Sequence, residues 1–384
     1  MHDVIVVGSG LAGSSMACAL AQRGWDVLVV ERQKQAQHKV CGEFLSPEAQ
    51  ASLQALGLYA SVAALDPVAI PLVSLSTSRG TRLCVPLPGH AWGLSRYALD
   101  EALLTAAEGM GVSVQRGATV TNLEVDEHAS RVHIRTTNTQ MTASARLSIL
   151  ACGRHPLAAL RAEPVQAGAE RVQHQDHVWR SSYVGVKCHY TGIDMPAICE
   201  LFLFEHGYMG VSPTETGAVN ACMLISKAAF AQAGASVAGA MQLACADNPA
   251  LARRLAPGIA LPESAVAVAP VDTHRPAAPW GPTARIGDAV SMIPPLCGDG
   301  MAMALRSAQL AAPLADAVLR GQLGWNEWAA VHTRAWQHEF RVRIRAGRAL
   351  QSLLMRPGLG DAILSMGRVL PGAARQVVQI TRGM

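Results

Sequence analysis

The sequence predicts an α/β fold in which a largely parallel sheet is interrupted by a smaller antiparallel sheet and followed by a helical tail. Three observations predict it. Residues 4–32 have the pattern of a strand, a glycine-rich turn, a helix and a second strand, which is the repeating unit of a parallel sheet. Over residues 178–225 the apolar period falls to two, which is typical of antiparallel strands. Beyond about residue 301 the pattern becomes helical.

The first strand, turn and helix have the features that pyrophosphate binding requires. The β-branched run Val4–Val7 predicts a strand buried on both faces, and a helix over residues 11–22 follows. Between them Gly8, Gly10 and Gly13 form the pattern G-x-G-x-x-G. The first glycine permits a tight turn, the second lets backbone approach a pyrophosphate, and the third lets helix and strand pack closely.

The second strand, residues 27–30, ends in an acid that narrows the choice of dinucleotide. Glu31 follows the glycines by about 20 residues, where a carboxylate can hold two ribose hydroxyls. The same carboxylate would repel a 2′-phosphate. We therefore expect FAD or NAD at this site, and not NADP.

Composition excludes several classes of partner. The chain has 384 residues, of which 50% are hydrophobic and 16% charged, with a formal net charge of +4 and no long basic run, so nucleic acid is not expected. Nine cysteines without a C-x-x-C pair predict neither a disulfide framework nor a metal site. No secretory signal pattern and no uninterrupted apolar run of about 18 residues is present, so a cytoplasmic location is expected.

A helix and several strands are predicted in the middle of the chain. Residues 94–125 begin with helical spacing of leucines, break at Gly109 and Gly111, and continue as a strand. The runs RVHIRTT and ARLSILACG predict two more strands, and the second is apolar enough to be central.

A later stretch, residues 285–314, predicts a strand, a loop and a helix. The strand ends at Gly287 and Asp288, a Pro-Pro loop follows, and a glycine-rich turn opens a helix from about Met301. An acid at a strand end can hold a ribityl or ribose hydroxyl. A helix N-terminus can stabilise the negative charge of a reduced flavin ring. Coupled to the first motif, these features favour FAD over NAD.

Several motifs together resemble a known family. The GSGLAG turn with Glu31 and Arg32, the helix that carries Arg96, and the segment GDAVSMIPPLCGDGM are similar to FAD oxidoreductases of the p-hydroxybenzoate hydroxylase fold. The segment KVCGEFLSPEA, residues 39–49, narrows the likeness to the geranylgeranyl-reductase-like branch, close to flavin-dependent halogenases and ring hydroxylases. The resemblance extends over residues 1 to about 310. It implies a Rossmann-like FAD-binding domain with a three-stranded crossover.

The resemblance also implies which residues contact FAD and how the chain divides. The cofactor-binding residues would be Gly8, Gly10, Leu11, Ala12, Gly13, Glu31 and Arg32 on the adenosine and pyrophosphate side, Arg96 near the pyrophosphate, Val120 at the adenine, Gly287 and Asp288 at the ribityl chain, and Cys41, Gly298, Gly300 and Met301 at the isoalloxazine. The predicted domains are a discontinuous FAD-binding domain (1–70, 94–165 and 272–325), a substrate domain (71–93 and 166–271) and a C-terminal helical segment (326–384).

The chain departs from the family patterns at three places. Many hydroxylases have an Asp-Gly pair, linked to both FAD and NADPH, where this chain reads ACGRHPLAALR, with Cys152 in place of the acid, so this segment does not favour direct reduction by NADPH. Lipid reductases of the branch carry Tyr-x-Trp-x-Phe-Pro, whereas here Tyr208 and Pro213 remain but Gly210 and Ser212 replace the two rings. The paired tryptophans of halogenases are missing. A substrate that differs in shape from a prenyl chain is therefore expected.

Four residues are candidates for catalysis. Cys41 is either an acid for a reductase or a small residue beside the flavin, and the second interpretation is favoured. Glu43 either orients substrate or caps the helix that Ser46 and Pro47 start. His206 and Tyr208 are candidate proton partners on the presumed pocket layer, although a histidine beside a glycine turn is more often solvated.

The tail predicts a basic amphipathic helix with two alternative roles. Its apolar face would carry Phe340, Ile344, Leu350 and Leu354, with Arg341, Arg345 and Arg348 around it. Such a helix can lie on a membrane surface or pack across the flavin domain, and packing is favoured.

Three functions are compatible with these features. The favoured one is an FAD-dependent monooxygenase that uses O₂ and NADPH or NADH, or a separate reductase, to hydroxylate an aromatic or polyketide-like small molecule via a flavin hydroperoxide. The alternative is an FAD-dependent reductase of prenyl or lipid carbon–carbon double bonds. The third is a flavoprotein without catalysis, which only Cys152 favours.

Overall fold

The computed structural model describes residues 1–154, 183–356 and 358–382, which form two β-sheets with helices packed around them. The strands are β1 (His2–Val7), β2 (Val27–Glu31), β3 (Phe44–Leu45), β4 (Val68–Ser76), β5 (Arg82–Gly93), β6 (Ser113–Arg116), β7 (Thr119–Val125), β8 (Ser130–Arg135), β9 (Gln140–Leu150), β10 (Tyr183–Thr191), β11 (Cys199–Phe204), β12 (Gly207–Pro213), β13 (Val219–Ser226) and β14 (Ile259–Val271). The α-helices are α1 (Leu11–Ala21), α2 (Ala49–Ala55), α3 (Tyr59–Ala63), α4 (Arg96–Gly109), α5 (Lys227–Gln232), α6 (Val237–Asp247), α7 (Pro249–Leu255), α8 (Gly300–Leu319), α9 (Trp325–Leu354), α10 (Leu359–Val369) and α11 (Pro371–Arg382).

The first sheet has six strands in the order β6-β2-β1-β9-β8-β7. Strand β1 pairs in parallel with β2 and β9, while β7, β8 and β9 pair antiparallel as a three-stranded crossover. Because β1 is covered on both faces, its residues from Val4 to Val7 are almost completely buried. Helices α1, α4 and α8 pack on one face in a single apolar core that includes Met16, Leu99 and Leu305.

The second sheet has eight strands in the order β14-β10-β13-β12-β11-β4-β5-β3, so it is not the smaller of the two by strand count. All its pairings are antiparallel except that of β4 with β11. Successive side chains point to opposite faces. Met209 and Val211 of β12 pack into the apolar core that includes α5, α6 and α7, whereas Tyr208 and Gly210 face the opposite side.

The predicted fold class is confirmed, and three local predictions need correction. The strand expected before Gly287 is reduced to two isolated bridges, Leu150 with Arg285 and Trp280 with Ala284, followed by a 3₁₀ turn at Gly287–Ala289. Helices α5 to α7 were not predicted within the second unit. Strand β4 begins at Val68 and β3 also belongs to the second sheet, so that sheet draws on residues before position 71. The predicted boundary at 165/166 lies outside the described residues.

The tail forms the long helix α9, which packs on the body of the protein. Phe340 is completely buried, and Ile344 and Leu354 are nearly so, while Arg341 and Arg345 are exposed. The helix therefore packs across the protein, which is the alternative that the sequence analysis favours. In the described part of the chain, no helix is both long enough and apolar enough to cross a bilayer.

Candidate active site

The glycine turn after β1 is shaped by two close approaches and one open position. Gly8 has φ +101°, and a Cβ there would lie 2.6 Å from the carbonyl oxygen of Ala151. A Cβ on Gly13 would lie 1.8 Å from the carbonyl oxygen of Gly8, so only glycine allows α1 to start so close to the strand. At Gly10 the nearest atom to such a Cβ is a guanidinium nitrogen of Arg96, 4.0 Å away. The turn therefore has no room for a side chain on the side that faces the core, but it leaves space on the side that faces Arg96.

The start of α1 has backbone donors available for an anion. Gly10 is the N-cap and provides no side-chain hydrogen bond. The first N–H groups of a helix have no partner within the helix and carry its positive dipole. The Arg96 guanidinium adds a positive charge beside the turn, although it also forms a bidentate pair with Asp100 on the same helix.

Glu31 joins the end of β2 to the glycine turn. Its carboxylate accepts hydrogen bonds of 2.8 Å from the backbone N–H and the hydroxyl of Ser9, and a third of 2.8 Å from the N–H of Gln33. The carboxylate is therefore fixed next to the turn at the carboxyl ends of the parallel strands, where ligands of this type of sheet bind. Arg32 is exposed, and Val120 is buried in β7 among core residues.

A large cavity begins at this turn and ends against the second sheet. Around the first sheet, its lining includes residues of the glycine turn and the start of α1, of the first turn of α4, of the end of β9, and of the loop and first turn of α8: Gly10, Leu11, Ala12, Arg96, Ala151, Asp288, Gly298, Gly300 and Met301. From the second sheet it is lined by uncharged residues: Val73, Gly185, Cys199, Leu201, Tyr208, Gly210, Cys222, Met223, Leu224 and Val271. The wall segment Val40–Phe44 lies at the cavity between these two groups.

Asp288 and the start of α8 form the far side of the cavity. Burial raises the pKa of Asp288, opposed by the positive charges of Arg154, Arg96 and Arg275. Helix α8 starts after Gly298, which has φ +71°, and its N-cap residue Asp299 makes no side-chain capping bond. The positive end of a 20-residue helix therefore lies at the cavity wall.

The wall segment carries Cys41 at the cavity. Burial raises the pKa of this thiol, opposed by the charge of Arg96. A thiol with a raised pKa stays protonated at neutral pH. The Cys41 carbonyl accepts a 3.0 Å hydrogen bond from the Asn220 side chain, and Ser212 donates a 3.0 Å bond to the carbonyl of Gly42. Two residues of the second sheet thus fix this segment.

Glu43 is the centre of a buried network that sequence reasoning missed. The side chains of Glu43 and Lys187 are completely buried, and the lysine ammonium lies 2.5 Å from one carboxylate oxygen. His189 lies 2.6 Å from the other oxygen, and the backbone N–H of Arg96 donates a 2.8 Å bond to the carboxylate. Glu43 therefore binds the first turn of α4, not the helix α2 that follows Ser46 and Pro47. Its φ of +53° is an unusual conformation that these bonds hold in place.

The charge state of this network follows from its partners. Burial by itself opposes the ionised carboxylate, but the hydrogen bond from His189 and the charge of Lys187 outweigh it and hold the pKa of Glu43 below its ordinary value. Glu43 is therefore ionised at neutral pH. The three described hydrogen-bond partners of its carboxylate, Lys187, His189 and Arg96, belong to other elements of the protein, which is the arrangement of a positioning residue.

His38, Glu43 and His189 also have ligand atoms within 4.8 Å of one another, a spacing that suits a metal ion. The ammonium of Lys187 against the same carboxylate opposes a second cation at this position. Burial, together with the charges of Lys187 and His189, lowers the pKa of His38. The geometry thus favours a hydrogen-bonded ion pair over a metal centre.

Strand β12 places the remaining candidates on different sides. Tyr208 and Gly210 line the cavity, so the glycine at the first ring position of the Tyr-x-Trp-x-Phe-Pro pattern is here part of the cavity wall. His206 lies in the turn between β11 and β12, half-buried and outside the cavity lining. Its backbone carbonyl accepts a bond from the N–H of Ser226.

The structure therefore brings together most, but not all, of the predicted residues. Those that line the cavity are Gly10, Leu11, Ala12, Cys41, Glu43, Arg96, Tyr208, Asp288, Gly298, Gly300 and Met301. Those outside its lining are Gly8, Gly13, Glu31, Arg32, Val120, His206 and Gly287. Gly8, Gly13 and Glu31 contact the turn outside the cavity lining and fix its conformation, and Gly287 lies next to Ala12.

The residues present fit an FAD molecule. The uncapped start of α1 and Arg96 suit the pyrophosphate, and the fixed carboxylate of Glu31 suits a ribose. Asp288 is a buried acid on the cavity wall, and a helix N-terminus follows it, as a ribityl chain and a flavin ring require.

Comparison with known proteins supports the same cofactor. A family model described as an FAD binding domain matches residues 1–240, which is more than half of the chain. A squalene epoxidase of Gibberella zeae is 41% identical over 100 residues, covering 24% of this chain and 20% of that protein. A menaquinone reductase of Mycolicibacterium smegmatis is 32% identical over 129 residues, covering 32% of this chain and 31% of that protein. The matches thus span less than a third of the length of these relatives.

Solved structures share the whole fold at low sequence identity. The flavin-dependent brominase Bmp2 has a TM-score of 0.78 at 17% identity, covering 100% of this chain and 93% of that one. A geranylgeranyl bacteriochlorophyll reductase-like protein of Thermoplasma acidophilum has a TM-score of 0.74 at 17% identity, covering 100% and 92%. With the family match and the cavity geometry, these similarities show that the chain belongs to the FAD-binding domain family and has the fold of the FAD-dependent oxidoreductases.

Proposed function

We propose that this protein is an FAD-dependent monooxygenase that transfers one oxygen atom from O₂ to an apolar aromatic or polyketide-like small molecule. The observation that carries the proposal is the division of the cavity into a charged part at the glycine turn and an uncharged part against the second sheet. The first part suits FAD, which when bound supplies electron transfer and oxygen activation. The second part has the apolar lining expected of a substrate chamber beside it.

The residues of the chain have separate tasks in this proposal. The start of α1 and Arg96 hold the pyrophosphate, and Glu31 holds the adenosine ribose. Val120 offers backbone to the adenine, and Asp288 holds the ribityl chain. The apolar side chains of the second sheet exclude water and orient the substrate ring. Glu43 acts through the wall segment that it fixes, and His206 has no role at the cavity.

The relatives support oxygen transfer to an apolar substrate. Squalene epoxidases and monooxygenases of fungi and plants match part of the chain, and flavin-dependent halogenases share its fold. Electrons would come from NADPH or NADH. Since Cys152 replaces the acid of the Asp-Gly pair, a separate reductase is the alternative source. The cytoplasmic location expected from the sequence stays a prediction.

One observation favours a second function, the reduction of a carbon–carbon double bond in a prenyl or other lipid. Cys41 lies at the cavity with a thiol whose pKa is raised by burial, so it is protonated and could donate a proton. The menaquinone reductases among the relatives point in the same direction. Gly210 and Ser212 replace the two aromatic rings of the lipid-reductase pattern, which argues against a prenyl chain as the substrate.

Product mass under labelled oxygen tests both functions. FAD-loaded protein is incubated with NADPH or NADH, ¹⁸O₂ and a panel of alkylated phenols, resorcinols, quinolones, pyrones and prenyl lipids. Gain of one labelled oxygen atom that disappears without O₂ is the expected result. A gain of two hydrogens in the absence of O₂ would contradict oxygen transfer and establish the reductase. A Cys41→Ser variant then distinguishes the roles of the thiol, since only the reductase should lose activity.

A further inference from the structure

The long tail helix α9 packs directly on the loop that leads into α8. A Cβ on Gly347 would lie 2.8 Å from the sulfur of Cys297 and 3.4 Å from the ring of Pro294, so helix and loop are in close contact. Cys297 and Gly298 of this loop line the cavity, as does Gly300 at the start of α8. The tail therefore supports the part of the cavity wall that suits the flavin ring.

One turn before Gly347, the same helix carries a buried positive charge. The side chain of Arg343 is only 5% exposed, and its guanidinium lies 3.1 Å from a carboxylate oxygen of Glu48 and 3.6 Å from one of Asp299. Glu48 is the N-cap residue of α2, the first helix after the wall segment, and Asp299 is the N-cap residue of α8. Arg343 thus contacts the beginnings of two helices that follow cavity-lining segments.

Asp299 is the acid whose charge bears most directly on the cavity. Gly298 and Gly300 on either side of it line the cavity, while its own side chain is completely buried and outside the lining. A carboxylate at a helix N-terminus offsets the positive potential of the helix dipole there. A reduced flavin ring carries negative charge. An uncompensated Asp299 would therefore disfavour reduced FAD relative to oxidised FAD.

The guanidinium of Arg343 acts in the opposite direction. A positive charge next to a carboxylate cancels much of its field, and buried charges are screened little by solvent. With Arg343 in place, the positive end of α8 therefore remains favourable for a negative charge in the cavity.

We propose that Arg343 is a positioning residue that acts through Asp299 to raise the reduction potential of the bound flavin. The inference rests on the placement of FAD in the proposed function, and it adds a residue of the tail that sets a property of the cofactor. It does not depend on the reaction that the reduced flavin then carries out.

Reduction potentials of the FAD-loaded protein test this inference. Arg343→Gln removes the positive charge, so we expect it to bind reduced FAD about tenfold less tightly relative to oxidised FAD. For a two-electron couple this lowers the potential by about 30 mV. The potential is measured without O₂ or substrate, from the flavin absorbance at equilibrium with a redox dye of known potential. Arg343→Lys keeps the charge and should remain close to the wild type.

Asp299→Asn tests the same argument with the opposite sign. It removes the negative charge from the start of α8 and leaves Arg343 beside Glu48. We expect the potential of this variant to rise above that of the wild type. Because the sign is opposite, this variant decides the question even where Arg343→Gln fails to retain FAD.

Arg306→Gln is the matched control. Arg306 of α8 lies 3.0 Å from Glu339 of α9, so the variant removes the same charge from between the same two helices, outside the cavity lining. We expect it to keep the wild-type potential whatever its effect on the melting temperature.

Four outcomes would overturn the inference. They are a potential that does not fall in Arg343→Gln, a potential that does not rise in Asp299→Asn, a fall in Arg343→Lys as large as in Arg343→Gln, and an equal fall in Arg306→Gln. Since no substrate is turned over, a failed oxygenation assay would contradict the proposed function alone.

Discussion

At the scale of single residues, the buried pair of Glu43 and Lys187 makes the sharpest prediction. Glu43→Gln removes the negative charge and leaves the lysine ammonium uncompensated in the interior. Breaking a buried ion pair in this way costs about 3–5 kcal/mol. We expect a loss of this size in the free energy of unfolding, measured by urea denaturation.

A surface glutamate with similar partners provides the control for this variant. Glu124 lies 3.0 Å from His133 and 3.4 Å from Arg131 but is half-exposed. Exposed ion pairs contribute only about 0–1 kcal/mol, so Glu124→Gln should be nearly neutral. Equal losses in the free energy of unfolding of the two variants would show that the buried network contributes no more to stability than an exposed ion pair.

The same network predicts a dependence of stability on acid. The folded-state pKa of Glu43 lies below its ordinary value of 4.5, because the His189 bond and the Lys187 charge outweigh burial. A carboxylate with a lowered folded-state pKa contributes its full stability above the ordinary value and loses it as the pH falls through the folded value. We expect the stability gap between wild type and Glu43→Gln to be constant from pH 7 to about 5 and to shrink below about 4.5. Melting temperatures over this range check the prediction, and a gap that persists to pH 3 would contradict it.

Sequence reasoning identified Glu43 but not its partners, and the reason is physical. The strand that carries Lys187 and His189 is otherwise apolar, and polar residues two apart share one face of a strand. Charged residues in a buried strand indicate that a partner exists. Nothing local indicates that the partner lies more than 140 residues earlier, because only the folded chain brings them together.

At the scale of elements, the start of α1 predicts a selective loss of cofactor. Gly13→Ala would place a Cβ 1.8 Å from the carbonyl oxygen of Gly8, so the helix must shift away from the turn that faces the pyrophosphate. We expect purified Gly13→Ala to contain little FAD, measured by flavin absorbance per protein. Gly109→Ala is the control, because it lies in α4 with no atom within 4 Å of the added methyl group. Normal FAD content in Gly13→Ala would contradict the packing argument.

The elements also differ in how well the sequence predicts them. Strand β1, the turn and α1 agree with prediction to within two residues, because each has a local signal. Helices α5, α6 and α7 were missed although Ser226, Ser236 and Asn248 cap them with side-chain hydrogen bonds. These helices are short, and the alternating strands around them dominate the apolar pattern. The strand expected before Gly287 is reduced to isolated bridges because the chain turns there into the loop that leads to α8.

At the scale of the whole molecule, FAD should stabilise the fold by mass action. A ligand that binds only the folded state adds about 2.7 kcal/mol at 100 times its Kd and about 1.4 kcal/mol for each further tenfold. We expect the free energy of unfolding of the FAD-depleted protein to rise with this slope as FAD is added. Riboflavin lacks the phosphates and the adenosine, so it should stabilise much less. Equal effects of the two ligands would show that the glycine turn and Glu31 do not contribute.

The cavity takes its walls from parts of the chain that are far apart in sequence. The glycine turn lies near residue 10, the wall segment near 42, and Asp288 and the start of α8 near 288–301. A ribosome adds about 5–20 residues per second, so roughly 15–60 s separate the first of these parts from the last. The FAD site therefore cannot form completely until about three quarters of the chain has been synthesised. Until then the glycine turn and the apolar core behind α1 lack the helix that covers them, and this interval is when the protein is most exposed to misfolding and to chaperones.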